Sequence, residues 1–243
     1  MRLAGPEVDV HHLTGLDLRF TTKAWAFAAD HRGRINDHWQ ALASERPEIW
    51  NGEVLVCLNS GIDNGVLRAE LAVTDYASFL AWRDWGVAHG GAWNCFGCPV
   101  VLTADRAMIF GEMAGNTMNG GKIYPPSGSL EPRDIKPDGT VDVLGSIAIE
   151  LAEETGLDAT MAKSGPVLAI FDQHRIAVCQ GLAFPLAADE IVRRFAEHRD
   201  AHGELARLAV IRSASGVSEA MPPFAQEIVR RFDQWFDGGV ITP

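Results

Sequence analysis

The run Ile149-Glu-Leu-Ala-Glu-Glu-Thr-Gly-Leu157 constrains this chain more than any other segment. Its spacing predicts a helix on which Glu150, Glu153 and Glu154, at i, i+3 and i+4, share one face. Like charges so placed repel one another. A hard cation such as Mg²⁺ or Mn²⁺, held by carboxylate oxygens, would supply the missing positive charge. Taken alone, the same residues also describe a solvated acidic face that ends in a glycine C-cap, Gly156. Upstream lies Gly128-Ser-Leu-Glu-Pro-Arg-Asp134, and fourteen residues separate Asp134 from Ile149. Within them Pro137-Asp-Gly-Thr-Val-Asp142 is a turn signal, and Asp142 is placed to N-cap the helix.

These residues resemble the box of the Nudix hydrolases, which runs from a glycine through an acid to an arginine-led helix bearing three glutamates and a closing glycine. Gly128, five residues and Asp134 match its opening, with aspartate in place of glutamate. Glu150, Leu151, Glu153, Glu154, Gly156 and Leu157 match its tail. Two features depart from the pattern: Ile149 stands at the arginine position, and the fourteen-residue spacer is twice the family's length. In the family that arginine orients neighbouring carboxylates. Isoleucine has no donor, and losing such an orienting partner costs roughly ten- to a hundredfold in metal affinity or activity. The resemblance therefore implies either a weakened or specialised enzyme, or a Nudix-fold binding protein that has lost turnover.

A second likeness lies nearer the N-terminus. Trp50-Asn51-Gly52, an alternating strand pair, and Leu71-Ala-Val-Thr-Asp-Tyr-Ala-Ser-Phe-Leu80 look like the leader of a Nudix branch that hydrolyses UDP-glucose and UDP-galactose. That branch also has a lengthened box without the arginine. Trp50, Tyr76 and Phe79 are read as core aromatics that identify no ligand.

The resemblance implies an α/β fold, a Nudix α/β/α sandwich with a mixed sheet, preceded by a small α+β region. It implies Mg²⁺ or Mn²⁺ held by Glu150, Glu153 and Glu154 against the diphosphate of a small nucleoside diphosphate derivative, with the carbonyl of Ser127 completing the shell. Asp134 would orient the helix carboxylates or bind an outer metal. Asn119, Lys122 and Gly128 fall on the substrate side, although Lys122 reads equally well as a solvated lysine. The family's assisting acid outside the box has one candidate, Glu204, which otherwise reads as a surface glutamate. Homodimers are common in the family.

Composition narrows the partners. Lys and Arg number 21 against 32 Asp and Glu, a net charge of −11. That balance argues against non-specific binding to nucleic acid or an anionic membrane, which needs a basic patch. An anionic substrate must instead be drawn in by a local metal and a few cations. No apolar run approaches the ~20 residues of a membrane span, and the N-terminal residues lack the apolar centre of a signal peptide. Cytoplasm is the expected compartment. Of four cysteines, Cys95-Phe-Gly-Cys98 forms a CxxC, the pattern of a redox pair or half a zinc site. The zinc half lacks its partner and the compartment is expected to be reducing, so Cys57, Cys95, Cys98 and Cys179 are expected to be core thiols. His11-His12 is expected in a mobile terminus without a metal role.

Along the chain, periodicity predicts helices over 34–46, 75–82, 189–198 and 223–236, besides the box helix. It predicts strands over 54–58, 66–73, 99–104, 107–113, 167–171, 176–184 and 206–211. Ser60–Gly65 is expected to join the first two strands, and Asp172–Arg175 to turn between the fifth and sixth. The glycine-rich stretch Gly86–Gly91 suggests a boundary between an N-terminal region, 1–86, and a Nudix domain, 87–243.

Overall fold

The computed structural model describes residues 8–86, 91–198 and 203–237. In chain order the elements are β1 (Val8–Leu13), β2 (Gly15–Phe20), α1 (Ala26–Asp30), α2 (Arg32–Glu45), β3 (Glu53–Asp63), β4 (Val66–Asp75), α3 (Tyr76–Asp84), β5 (Asn94–Leu102), β6 (Met108–Met113), β7 (Ile123–Tyr124), α4 (Val143–Thr155), β8 (Lys163–Asp172), β9 (Arg175–Ala183), α5 (Ala188–Glu197), β10 (Leu205–Ile211), α6 (Pro223–Arg230) and α7 (Phe232–Phe236). The architecture is α/β with mixed strand pairing. Among the described residues no helix is long and apolar enough to cross a membrane.

Two compact units form. The larger holds β1, residues 96–128 and the chain from Val143 onward, and the smaller holds residues 15–95 and 129–142. This partition departs from a cut at residue 86 in three ways, the first being that residues 91–95 stay with the smaller unit. Strand β1 joins the larger unit by pairing antiparallel with β8, His11 opposite Ala169. The segment 129–142 joins the smaller one. Of the suggested boundary Gly86–Gly91, residues 87–90 lie outside the described residues.

In the smaller unit the sheet order is β2-β4-β3, with β2 parallel and β3 antiparallel to β4. The β3–β4 hairpin turns on Asn64-Gly65 alone, at φ 49° and 78°. Both angles are positive, as a type I′ turn requires, which is why Asn-Gly sits there. Residues 60–63, expected in the turn, therefore lengthen β3, which carries a bulge between Cys57 and Asn59. Helix α3 starts where Asp75 Oδ1 accepts from Ser78 N at 2.7 Å, an aspartate N-cap. Its buried face, with Phe79, Leu80 and Trp82, packs beside Trp25, whose ring lies edge-on to Trp82 at 5.8 Å. Trp50 corrects the core-aromatic reading, since it is 76% exposed. The two residues after it serve α3: Asn51 Oδ1 accepts from Ala77 N, and Gly52 O from Tyr76 N. The indole is left outside, over Gly52.

In the larger unit seven strands run β1-β8-β9-β5-β6-β10, with β7 paired to β6. Adjacent residues of β5 show how the layers stack. Phe96 meets Phe224 of α6 edge-on at 5.3 Å, while a Cβ on Gly97 would lie 2.6 Å from Ile147 of α4. Neighbouring strand residues point to opposite faces, so α4 and α6 cover opposite sides of this sheet. The apolar periodicity predicted most of these elements. The expected 223–236 helix is broken at Arg231 into α6 and α7. The histidine pair, expected to be mobile, lies in β1, with His11 Nε2 2.7 Å from Asp9 Oδ2.

All four cysteines are free and buried. Burial pushes the Cys57 thiol up to about 12 and raises those of Cys95 and Cys98. Cys179 and then the charge of Glu154 raise Cys98 further. A protonated, enclosed thiol is a poor nucleophile and a poor ligand, so the CxxC is packing material.

Asp105 closes the start of α5 from the β5–β6 turn. It accepts from Thr103 Oγ1 (2.7 Å), Ala188 N (2.9 Å) and Arg212 Nη1 (3.0 Å). These bonds, the Thr103 hydroxyl first, hold its carboxyl down at about 2. A depressed carboxylate stabilises the fold above its unfolded value, and that contribution is lost as pH falls through the folded one. Asp105→Asn should therefore lower Tm at pH 7, and the gap from the parent should narrow between about pH 4 and 2 in thermal melts.

Candidate active site

Helix α4 carries the three glutamates. Its buried residues Val143, Ser146, Ile147, Leu151, Glu154 and Thr155 recur at the helical period, which turns this stripe toward the sheet. Glu154 lies within the stripe at 4% exposure, with both carboxylate oxygens enclosed. Glu150, at its border, is half-buried, and Glu153 is exposed. Ile149 is 39% exposed, so the residue at the arginine position adds neither a donor nor a core contact.

The turn at Gly128 meets this helix. A Cβ on Gly128 would lie 2.3 Å from the carboxyl carbon of Glu150. Glycine is required here by close approach, since Gly128 is not among the residues of positive φ. At the other end of the helix Gly156 has φ 73°, the left-handed C-cap conformation. There His198 donates from Nε2 to the carbonyl of Glu153 at 2.9 Å, which places the proton of a neutral ring on Nε2. Sequence reasoning missed this contact, because His198 follows α5 and no spacing ties it to the box. A Cβ on Gly156 would fall 2.8 Å from His198 Nδ1. Gly156→Ala should cost about 1–2 kcal/mol through its backbone angle, a fall in Tm of about 2–8 °C by calorimetry. Combining it with His198→Ala should recover the steric part only.

The remaining expected residues fall as follows. Ser127 is half-buried, and its hydroxyl donates to Pro125 O at 3.1 Å. Asn119 is exposed, and its amide donates to the Tyr124 hydroxyl at 3.0 Å. Lys122 is exposed on the approach to β7. Glu204 lies just before β10, its carbonyl accepting from Ala114 N at 2.8 Å. Asp134 is buried in the smaller unit, and Oδ2 accepts from Glu131 N at 2.8 Å while Asp134 N returns to Glu131 O. That carboxylate closes its own turn. Asp142 directly precedes α4, as its spacing suggests, and its carboxylate meets Lys136 at 2.9 Å.

Three carboxylates and a backbone carbonyl are hard oxygen donors, a set suited in chemistry to Mg²⁺ or Mn²⁺. Among the described residues, no three His, Cys, Asp or Glu side chains converge into a preformed cation site. The turn of Gly128 and the carboxylate of Glu150 do come together, with Glu154 one turn further along the helix.

The chain matches no family model and no curated protein. Solved structures similar to it include the MutT protein of Methanosarcina mazei Go1, at 18% identity over 58% of this chain and 94% of that one, TM-score 0.39. A mutant of the pyrophosphohydrolase BsRppH of Bacillus subtilis is 9% identical over 60% of this chain and 84% of that one, TM-score 0.38. The Nudix hydrolase RenU of M. smegmatis is 12% identical over 61% and 88%, TM-score 0.38.

Proposed function

We propose that this chain is a Nudix-type diphosphatase, dependent on a divalent metal, that hydrolyses a nucleoside diphosphate joined to a second moiety. A nucleotide sugar such as a UDP-hexose is the favoured substrate, on the strength of the Trp50–Leu80 leader. The observation that carries the reading is the approach of Gly128 to the Glu150 carboxylate. It joins the two halves of the box in space although fourteen residues separate Asp134 from Ile149.

In this reading Glu150, Glu153 and Glu154, with the Ser127 carbonyl, hold Mg²⁺ or Mn²⁺. Such a cation would supply charge neutralisation at the phosphoryl oxygens and would acidify a water. Hydrolysis adds one water across the anhydride, breaking one P–O bond to give a nucleoside monophosphate and a sugar phosphate, with two protons released when both products are fully ionised. Lys122 supplies local positive charge to a polyanion approaching a protein of net charge −11. Asn119 contacts phosphate or base.

Ile149 favours a second reading, a nucleotide-binding protein without turnover. A panel separates the two: UDP-glucose, ADP-ribose, other nucleotide sugars, dinucleoside polyphosphates and coenzyme A, each with Mg²⁺ or Mn²⁺. Metal-dependent release of a phosphate ester from one class establishes the enzyme and its substrate together. Nucleotide-induced thermal stabilisation without release establishes the binding protein.

A further inference from the structure

The long spacer of the box is an ordered hairpin. Asp142 N donates to Asp134 O (2.8 Å), Lys136 N to Thr140 O (2.8 Å) and Gly139 N to Lys136 O (2.9 Å). Gly139, at φ 80°, makes the tight turn possible. The returning limb lies antiparallel along the free edge of β2, where Phe20 N donates to Gly139 O and Val141 N to Leu18 O, each at 2.9 Å. Arg19 Nη1 adds a bond to Thr140 Oγ1 at 3.1 Å. The entering limb reaches the opposite edge of the same sheet, where Leu55 N of β3 donates to Leu130 O at 2.7 Å. One loop thus lines the outer edge of β2 and reaches that of β3, where Trp93 also pairs with Cys57 through two backbone bonds; both edges would otherwise expose unpaired backbone groups.

We propose that the three-stranded sheet is a clamp for the box loop, with Leu130 and Val141 as positioning residues. The loop continues at one end into Gly128, which lies against Glu150, and at the other into Val143, the first residue of α4. Holding Leu130 and Val141 fixes where both ends emerge. The extra residues of the spacer are the length needed to reach β2. This rests on the box being the metal site.

The test uses the full chain with Val141→Pro, which removes the N–H donated to Leu18, and Val141→Ile, which keeps it. Hydrogen exchange across residues 128–150 and Mn²⁺ affinity without nucleotide are the readouts. Val141→Pro should speed exchange at Gly128 and in the first turn of α4, and weaken Mn²⁺ binding by roughly tenfold or more, the scale of a lost orienting partner. Val141→Ile should match the parent in both. Faster exchange confined to residues 135–142, with Mn²⁺ affinity unchanged, overturns the proposal. Should Val141→Pro fail to fold, deletion of residues 135–141, which leaves a spacer of the family's length, decides instead. Unchanged Mn²⁺ affinity in the deletion makes the hairpin surplus and sinks the clamp, whereas weakened affinity in a folded protein supports it. Glu154→Gln runs in parallel: unaltered Mn²⁺ binding there removes the metal-site reading, while the exchange pattern still decides the clamp.

Discussion

Glu154→Gln is expected to cut metal-dependent release of phosphate ester by more than the ~10–100-fold that an orienting partner is worth. The substitution keeps volume and shape and removes a negative charge from a residue only 4% exposed. A bulk packing defect is therefore not its effect. Glu153→Gln, at an exposed position, should alter stability less than Glu154→Gln. The measurement is initial rate against Mg²⁺ concentration for parent and variants, with thermal melts to verify the fold. Equal rates in parent and Glu154→Gln would show that the helix carboxylates take no part in turnover.

Gly128→Ala should separate geometry from stability. Its new methyl would begin 2.3 Å from the Glu150 carboxyl carbon, a distance no real contact tolerates. What must yield is the end of a half-buried side chain, so Tm should move little. The displaced carboxylate should lose metal affinity by roughly 10–100-fold. Gly97 offers the contrast. A Cβ there would press 2.6 Å from Ile147 and 3.1 Å from the backbone oxygen of Val143. The body of α4 cannot swing aside as a carboxylate can, so Gly97→Ala should cost about 1–3 kcal/mol of stability. Mn²⁺ titration and calorimetry on both variants check the pair. A large loss of stability in Gly128→Ala with metal binding intact would reverse the assignment of that glycine.

The placement of the candidate glutamates could be read from residue spacing because α4 is strongly periodic. Val143, Ile147 and Leu151 fix its inner face, and the glutamates follow from that phase. The paired positions Asn64-Gly65 likewise announce a hairpin, and only its length was underestimated. The N-terminal strands were harder. Strand β1 reads Val-Asp-Val-His-His-Leu, and its two histidines mask an edge strand whose partner lies far along the chain. Capture of the box loop by β2 and β3 left almost no trace, because it runs through backbone groups that every residue but proline carries. Asp134 is ambiguous for a related reason. An acid at a box spacing and an acid closing a 3-10 turn look alike until the partner, Glu131 N, is known.

The interleaving of the two units sets a timetable for the chain as it is translated. Residues 15–95 precede the box loop, so the ribosome releases the β2-β4-β3 sheet with the β2 edge open, and the β3 edge paired at Cys57 by Trp93, before the loop appears. Strand β1, made earlier still, has no partner until β8 at Lys163–Asp172 is synthesised. Domains fold as units and the N-terminal one first during synthesis. A nascent chain that has just exposed Asp142 therefore holds a completed sheet and a seated loop, while every carboxylate of α4 is still to emerge.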